Sequence, residues 1–298
     1  MKILVSGATG FVGSELLPLL QSAGHDVVRL SRSGPVVGQD RVWNPDAGTI
    51  EISKLDGFDS VIHLAGENIA AGRWTASRKQ RIRESREKGT RLLAEALAKV
   101  PHPPRVLVSA SAIGYYGDRG SEVLTEGSAP GHDFLAEVCK AWEAAAEPAG
   151  RRGIRVVHPR IGVVLGRKGG ALAKMALPFR MGAGGRIGDG RQYMSWITLT
   201  DLCRSIIYAL QTETLAGPYN AVSPNPVTNA EFTKALGAAL HRPAIFPLPA
   251  FAARIALGEM ADALLLSSAR VQPARLTAAG FRFDDEDITP ALSKLVGA

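Results

Sequence analysis

The sequence is poor in cysteine, with only Cys139 and Cys203 in 298 residues. Two thiols exclude a disulfide framework and point to a reducing compartment. No apolar run approaches the ~20 residues needed to cross a bilayer. The first apolar run, 3–5, is too short for the core of an export signal. These absences predict a cytoplasmic protein with no membrane partner. The six histidines and two cysteines show no metal-ligand spacing. No Gly-x-Ser-x-Gly elbow is present for hydrolysis. The net charge is +7, yet there is no long Lys/Arg block. The densest basic cluster, 73–91, is interrupted by Glu84 and Glu87. The charge therefore suits phosphorylated small molecules better than nucleic acid.

What the chain does have begins at its second residue. Lys2-Ile3-Leu4-Val5-Ser6 runs into Gly7-Ala8-Thr9-Gly10-Phe11-Val12-Gly13 and then an apolar segment at 14–23 with helical character. This reads as a strand, a phosphate-cradling loop and a helix start. Gly7 permits the turn, Gly10 lets the backbone approach a pyrophosphate, and Gly13 lets the helix pack closely. The helix N-terminus supplies free N–H groups and its positive dipole end.

Further strands are predicted at 26–30, 59–65, 106–109 and 155–158, with helices within 75–100 and at 134–149. This alternation implies parallel strands with right-handed crossovers. Residues 1–165 are thus expected to form an α/β, doubly wound parallel Rossmann sheet. From Gly166 onward, glycine-rich and proline-broken segments suggest that 166–298 is mainly a smaller C-terminal substrate lobe. The segment at about 198–220 is expected to rejoin the first lobe. Another helix is predicted over 251–266.

The second strand selects the nucleotide. NAD-specific sheets usually place Asp or Glu at its end, to bind the ribose 2′-hydroxyl. Here it ends Leu30-Ser31-Arg32-Ser33, with no carboxylate. Arg32 can fork onto a 2′-phosphate, with Ser31 and Ser33 donating to it. NADP(H) is the expected cofactor, and Arg86 is a second cation that could reach the same phosphate. His63, in a buried strand, reads as a core histidine.

Longer patterns add a family resemblance. Thr9-Gly10-Phe11-Val12-Gly13, His63-Leu64-Ala65-Gly66 and Ser109-Ala110-Ser111 followed by Tyr115 resemble an extended short-chain dehydrogenase/reductase. The continuation Glu67-Asn68-Ile69 with Arg73-Trp74, then Ser85-Arg86, Gly162-Val163-Val164-Leu165-Gly166 and Ser195-Trp196-Ile197 is similar to the atypical epimerase family. Members of that family are called nucleoside-diphosphate-sugar epimerases or, in bacteria, cell-division inhibitors. The likeness spans essentially the whole chain, including a C-terminal module.

The resemblance implies an oxidoreductase or epimerase acting on a nucleotide-sugar or another small carbonyl or hydroxyl compound. It assigns Gly7, Thr9, Gly10, Phe11, Val12, Gly13, Leu64, Ala65, Gly66, Glu67, Ser109, Lys140 and Pro159 to the cofactor. Ser111 would orient a substrate hydroxyl, and Lys140 would hold the nicotinamide ribose and support a tyrosine four residues earlier. That position is Ala136, which cannot transfer a proton. Tyr115 and Tyr116 are then the replacement candidates, with Asp118, Glu67 and Glu126 as other acids or bases. Arg186, Arg191, Gln192, Ser195 and Trp196 are expected to bind substrate by ion pairing and stacking. The alternative reading, supported by Ala136, is a largely non-catalytic NADPH-binding regulatory or scaffold protein. The oligomeric state is not legible.

Overall fold

The computed structural model describes residues 1–32 and 40–297. Ser33 therefore lies outside the described residues. The first strand–helix–strand unit is β1 (Lys2–Ser6), α1 (Phe11–Ser22) and β2 (Asp26–Ser31). β3 (Arg41–Asn44) and β4 (Thr49–Ile50) extend the edge beyond it. β5 (Ser60–His63), α2 (Ala76–Leu97) and β6 (Val106–Ser109) repeat the unit. β7 (Ser111–Ala112), β8 (Val123–Leu124), α3 (Phe134–Ala144) and α4 (Glu147–Arg151) lead to β9 (Arg155–Ile161). The predicted helix at 134–149 is thus two helices, the second beginning around Pro148, a residue suited to a first helical turn.

β10 (Val163–Leu165), α5 (Gly170–Arg180), β11 (Tyr193–Met194) and β12 (Trp196–Thr198) leave the main sheet. α6 (Leu199–Gln211) and β13 (Gly217–Ala221) return to it, β13 pairing in parallel with β9. The remainder comprises β14 (Val227–Thr228), α7 (Asn229–Ala239), α8 (Ala250–Leu257), α9 (Glu259–Ala261), β15 (Arg270–Val271), α10 (Ala274–Ala278) and α11 (Ile288–Val296). The predicted helix at 251–266 is interrupted at Gly258, whose φ of +62° ends α8.

The main sheet runs β13-β9-β6-β5-β1-β2-β3-β4, and only the β3–β4 pair is antiparallel. Its strands are apolar on both faces because helices cover both. Ile3, Val5, Ile62, Val106 and Val108 point to one side, against Leu16 and Leu20 of α1 and Leu202 and Ile206 of α6. Leu4, Val61 and Leu107 point to the other, against Leu93 and Leu97 of α2. The alternation follows the two-residue period of a strand. The second lobe has its own core, where Trp196 and Leu165 pack with α5, α7 and α11.

β1 lies between β2 and β5, so successive crossovers diverge there. In an open parallel sheet, that divergence leaves a crevice at the carboxyl ends of the strands.

Candidate functional site

The glycine loop fills one side of this crevice. Gly7 has φ +71°, and a Cβ there would stand 2.7 Å from the carbonyl carbon of Leu64. Its lack of a side chain allows the ends of β1 and β5 to approach. Gly10 caps α1 without any side-chain hydrogen bond, leaving the helix N-terminus bare. A Cβ on Gly13 would fall 2.3 Å from the Gly7 oxygen, so α1 can sit this close to the loop only with glycine there. Thr9 is exposed and Val12 half-buried. The Phe11 ring is seated on the second lobe: Cβ atoms on Gly166 and Gly170 would come within 2.7 and 2.5 Å of it.

The end of β2 carries Ser31 and Arg32. Arg29 is bound to Asp40, with Nη2 2.5 Å from Oδ2. Arg32 is exposed and has no hydrogen-bond or ion-pair partner among the described residues. Arg86 is on α2, its guanidinium 4.9 Å from the Trp142 ring centroid and donating to the Ile82 carbonyl. It lies beside Gly66, and burial lowers its pKa from the usual arginine range.

Behind the crevice, His63 is fully buried. Its Nδ1 is 2.6 Å from Ser6 Oγ and its Nε2 is 3.1 Å from Thr90 Oγ1, which also accepts from Trp142 Nε1 at 3.0 Å. Burial pushes the imidazole pKa down to about 4. The neutral ring is a structural connector, as its strand position predicts. Leu64 N–H donates to Ser6 O, continuing the β1–β5 pairing, and Ala65 packs against the second face's core. Glu67 receives Arg78 at 3.4 Å, while its own N–H donates to Ser85 Oγ.

At the end of β6, Ser109 Oγ is buried without a hydrogen-bond partner. Orphaned buried hydroxyls are uncommon and call for a ligand or water. Pro159 is buried within β9, opposite Tyr219. The bare helix N-terminus, the unpaired Arg32 and the orphaned Ser109 are compatible with a dinucleotide along the strand ends.

Next to it is a polar cluster that spacing alone does not reveal. Ser111 Oγ donates to Glu143 Oε1 at 2.7 Å. Arg160 grips the same carboxylate with Nε and Nη2 at 2.8 and 2.9 Å. Arg160 Nη1 donates to Tyr116 OH at 3.0 Å, and that hydroxyl donates to Asn220 Oδ1 at 2.7 Å. The guanidinium lies 3.4 Å from the Tyr115 ring centroid. Burial opposes its charge, but the hydrogen bonds and attraction of Glu143 outweigh it and raise the Arg160 pKa.

Several expected residues take other roles. Lys140 does not join Ser111; it pairs with Glu137 at 2.9 Å on the exposed side of α3. The buried arc of this helix contains Ala136, Cys139 and Trp142, with Glu143 at its edge, and Lys140 falls one helical step outside it. Tyr116 is fully buried with its hydroxyl engaged on both sides, and burial pushes its pKa up to about 12. It is a core residue rather than a proton donor. Tyr115 is half-buried, and its hydroxyl has no hydrogen bond among the described residues. Asp118 accepts the N–H groups of Gly120 and Ser268. Glu126 accepts those of Asn220 and Arg275 through Oε1, leaving Oε2 buried and unpartnered.

The expected substrate set in the second lobe is largely structural. Trp196 has no exposed surface and donates Nε1 to the Asn225 carbonyl, so it cannot stack on a ligand. Ser195 Oγ donates to Ala269 O and accepts the Val271 N–H. Gln192 Nε2 is shared by the Ile187 and Leu265 carbonyls. Arg186 and Arg191 are exposed. Sequence reasoning missed Glu143, Arg160 and Asn220. One signal was present: Glu143 follows Ala136 by seven residues, which puts it near the same helix face.

Among the described residues, no group of three or more His, Cys, Asp or Glu is placed to hold a metal, and no helix is long and apolar enough to cross a membrane. Residues 3–221 match the NAD dependent epimerase/dehydratase family, and residues 248–295 match a domain of unknown function, DUF1731. The chain is 42% identical to epimerase family protein ML0860 of Mycobacterium leprae, across 98% of this chain and 94% of that protein. The crystal structure of human epimerase family protein SDR39U1 with NADPH matches at a TM-score of 0.91 and 37% identity, covering 100% of this chain and 99% of that one. A UDP-N-acetylglucosamine 4-epimerase from Bacillus cereus shares the fold at a TM-score of 0.79 and 20% identity, over 99% of this chain and 98% of that one. The chain belongs to the NAD dependent epimerase/dehydratase family.

Proposed function

We propose that this protein is an NADP(H)-dependent oxidoreductase or epimerase that acts on a small carbonyl or hydroxyl compound. The observation that carries the cofactor choice is Arg32, exposed at the end of β2 and unpaired among the described residues. A guanidinium there suits a 2′-phosphate, where a carboxylate would suit a bare ribose. The NADPH in the human relative's structure supports the same reading. The loop 7–13 would hold the pyrophosphate, and Leu64, Ala65, Gly66 and Glu67 would border the cofactor. Ser109 and Pro159 would lie toward the nicotinamide, and Arg86 beside Gly66.

Bound cofactor supplies the hydride acceptor or donor. The chain must supply orientation and a proton. Ser111 gives its hydrogen to Glu143, so its oxygen is left to accept a hydrogen bond from a substrate hydroxyl. Tyr115 supplies the exchangeable proton: it follows the Ser111 strand, and its hydroxyl is uncommitted among the described residues. Arg160 holds the ring from one face.

Two titrations and one kinetic assay test this reading. Arg32→Ala should weaken NADPH binding by on the order of 10–100-fold and leave NADH binding unchanged, the loss expected for a charged hydrogen-bonded pair. A wild-type preference for NADH would refute the cofactor assignment. In NADPH oxidation with a panel of carbonyls and nucleotide-sugars, Tyr115→Phe should abolish turnover while NADPH affinity is retained.

A second reading is a largely non-catalytic NADPH-binding regulatory or scaffold protein. It is favoured by Ala136 at the usual tyrosine position and by the pairing of Lys140 with Glu137. Tight NADPH binding with no turnover of any compound in the panel would select it.

A further inference from the structure

The second lobe carries a groove of about 520 Å³ that none of the cofactor or Ser111-cluster residues lines. One wall is a face of α7, where Ala230, Thr233, Gly237 and Ala238 recur at helical spacing. The other is the segment 242–247, held by Arg242 N–H to Gly237 O and by Phe246 N–H to Gly184 O. Gly237 permits this approach, since a Cβ there would stand 3.0 Å from both the Arg242 oxygen and Ala244 Cβ. Small side chains on the helix leave the space open, and Ala244, Ile245 and Pro247 make the opposite side apolar.

The charged groups of the groove are of one sign. Arg186, Lys234 and Arg242 line it, and none makes an ion pair or a side-chain hydrogen bond among the described residues. Thr233 adds a hydroxyl-bearing side chain to the same wall. Three exposed cations lining one small apolar trough suit an anion with an apolar body.

We propose that this groove binds a small organic phosphate, its phosphate between Arg186, Lys234 and Arg242 and its apolar body along the alanine face of α7. The site is separate from the dinucleotide crevice, so both would be filled together.

The test is fluorescence titration of the full chain, saturated with NADPH, with 1-naphthyl phosphate. Inorganic phosphate and 1-naphthol serve as the two half-ligands. One equivalent should bind with NADPH present, and more tightly than either half-ligand. Lys234→Gln with Arg242→Gln should weaken binding at least tenfold. Ala238→Trp, at an exposed position, should block the trough; circular dichroism melting checks that each variant is folded. The proposal is overturned by absent saturable binding, by loss of binding on adding NADPH, by equal affinity for inorganic phosphate, or by binding that both folded variants leave unchanged.

Discussion

Ser111 and Glu143, 32 residues apart in sequence, meet through a 2.7 Å hydrogen bond. The carboxylate oxygen that accepts from Ser111 also accepts Arg160 Nε at 2.8 Å. Glu143 thereby joins the serine at the strand end to the cation beneath Tyr115. The Arg160 side chain is 3% exposed, so removing its partner strands a buried charge. Glu143→Ala should cost about 3–5 kcal/mol in urea unfolding. Lys140→Ala, at a surface pair, should leave the melting temperature unchanged. A Glu143→Ala loss below about 1 kcal/mol would contradict the picture of a paired, buried Arg160.

The two adjacent tyrosines should separate stability from catalysis. Tyr116→Phe removes a hydroxyl shared by Arg160 and Asn220, and should destabilise the fold by about 1–3 kcal/mol. Tyr115→Phe removes one with no partner among the described residues, and should melt like the wild type. Equal melting temperatures for both variants would contradict the assignment.

His63 makes stability depend on pH. Its folded pKa is about 4, against 6.5 for an unperturbed histidine. Below pH 6.5 the unfolded chain binds a proton that the folded ring refuses. The histidine's contribution is therefore fully present above pH 6.5 and is lost as pH falls toward 4. Linkage puts the loss between pH 7 and 4 at about 3 kcal/mol. Burial lowers the His158 pKa as well, adding a loss in the same direction. Urea midpoints across this range should fall less steeply in His63→Asn than in the wild type; identical slopes would show that the ring is not the source.

The glycine loop offers a test of position-specific function. Gly10→Ala would put a methyl 3.2 Å from the Gly7 oxygen, a tight but tolerable contact at the mouth of the loop. It should weaken NADPH binding with little change in melting temperature. Gly13→Ala would place its methyl 2.3 Å from that oxygen, which forces α1 and the loop apart. It should lose about 1–3 kcal/mol of stability along with cofactor affinity. Thermal melts with and without NADPH distinguish the two; an unaffected Gly13→Ala would show that the close packing is dispensable.

Local chemistry made much of this molecule legible. The Gly7, Gly10 and Gly13 spacing, the alternating strands and helices, and the missing carboxylate after Leu30 are short-range properties of the chain. The doubly wound sheet followed from them, as did His63's place inside, while the family resemblance rested on longer motifs such as His63-Leu64-Ala65-Gly66-Glu67-Asn68-Ile69. The end of α8 was harder to see, because Gly258 sits within an otherwise apolar helical run.

The polar cluster was decided elsewhere. Lys140 and Cys139 differ by one residue, or about 100° of helix, and only the docking of α3 determines which is buried. Gln192, Ser195 and Trp196 look ligand-ready in sequence, but the folding of 265–271 and 225 against them supplies their partners. The sequence by itself determined a nucleotide-binding sheet and the cation at the end of β2, because turns, periodicity and side-chain charge are carried by neighbouring residues. Only the tertiary structure placed Glu143 and Arg160 on Ser111, since that arrangement depends on how a helix and two strands meet across the sheet.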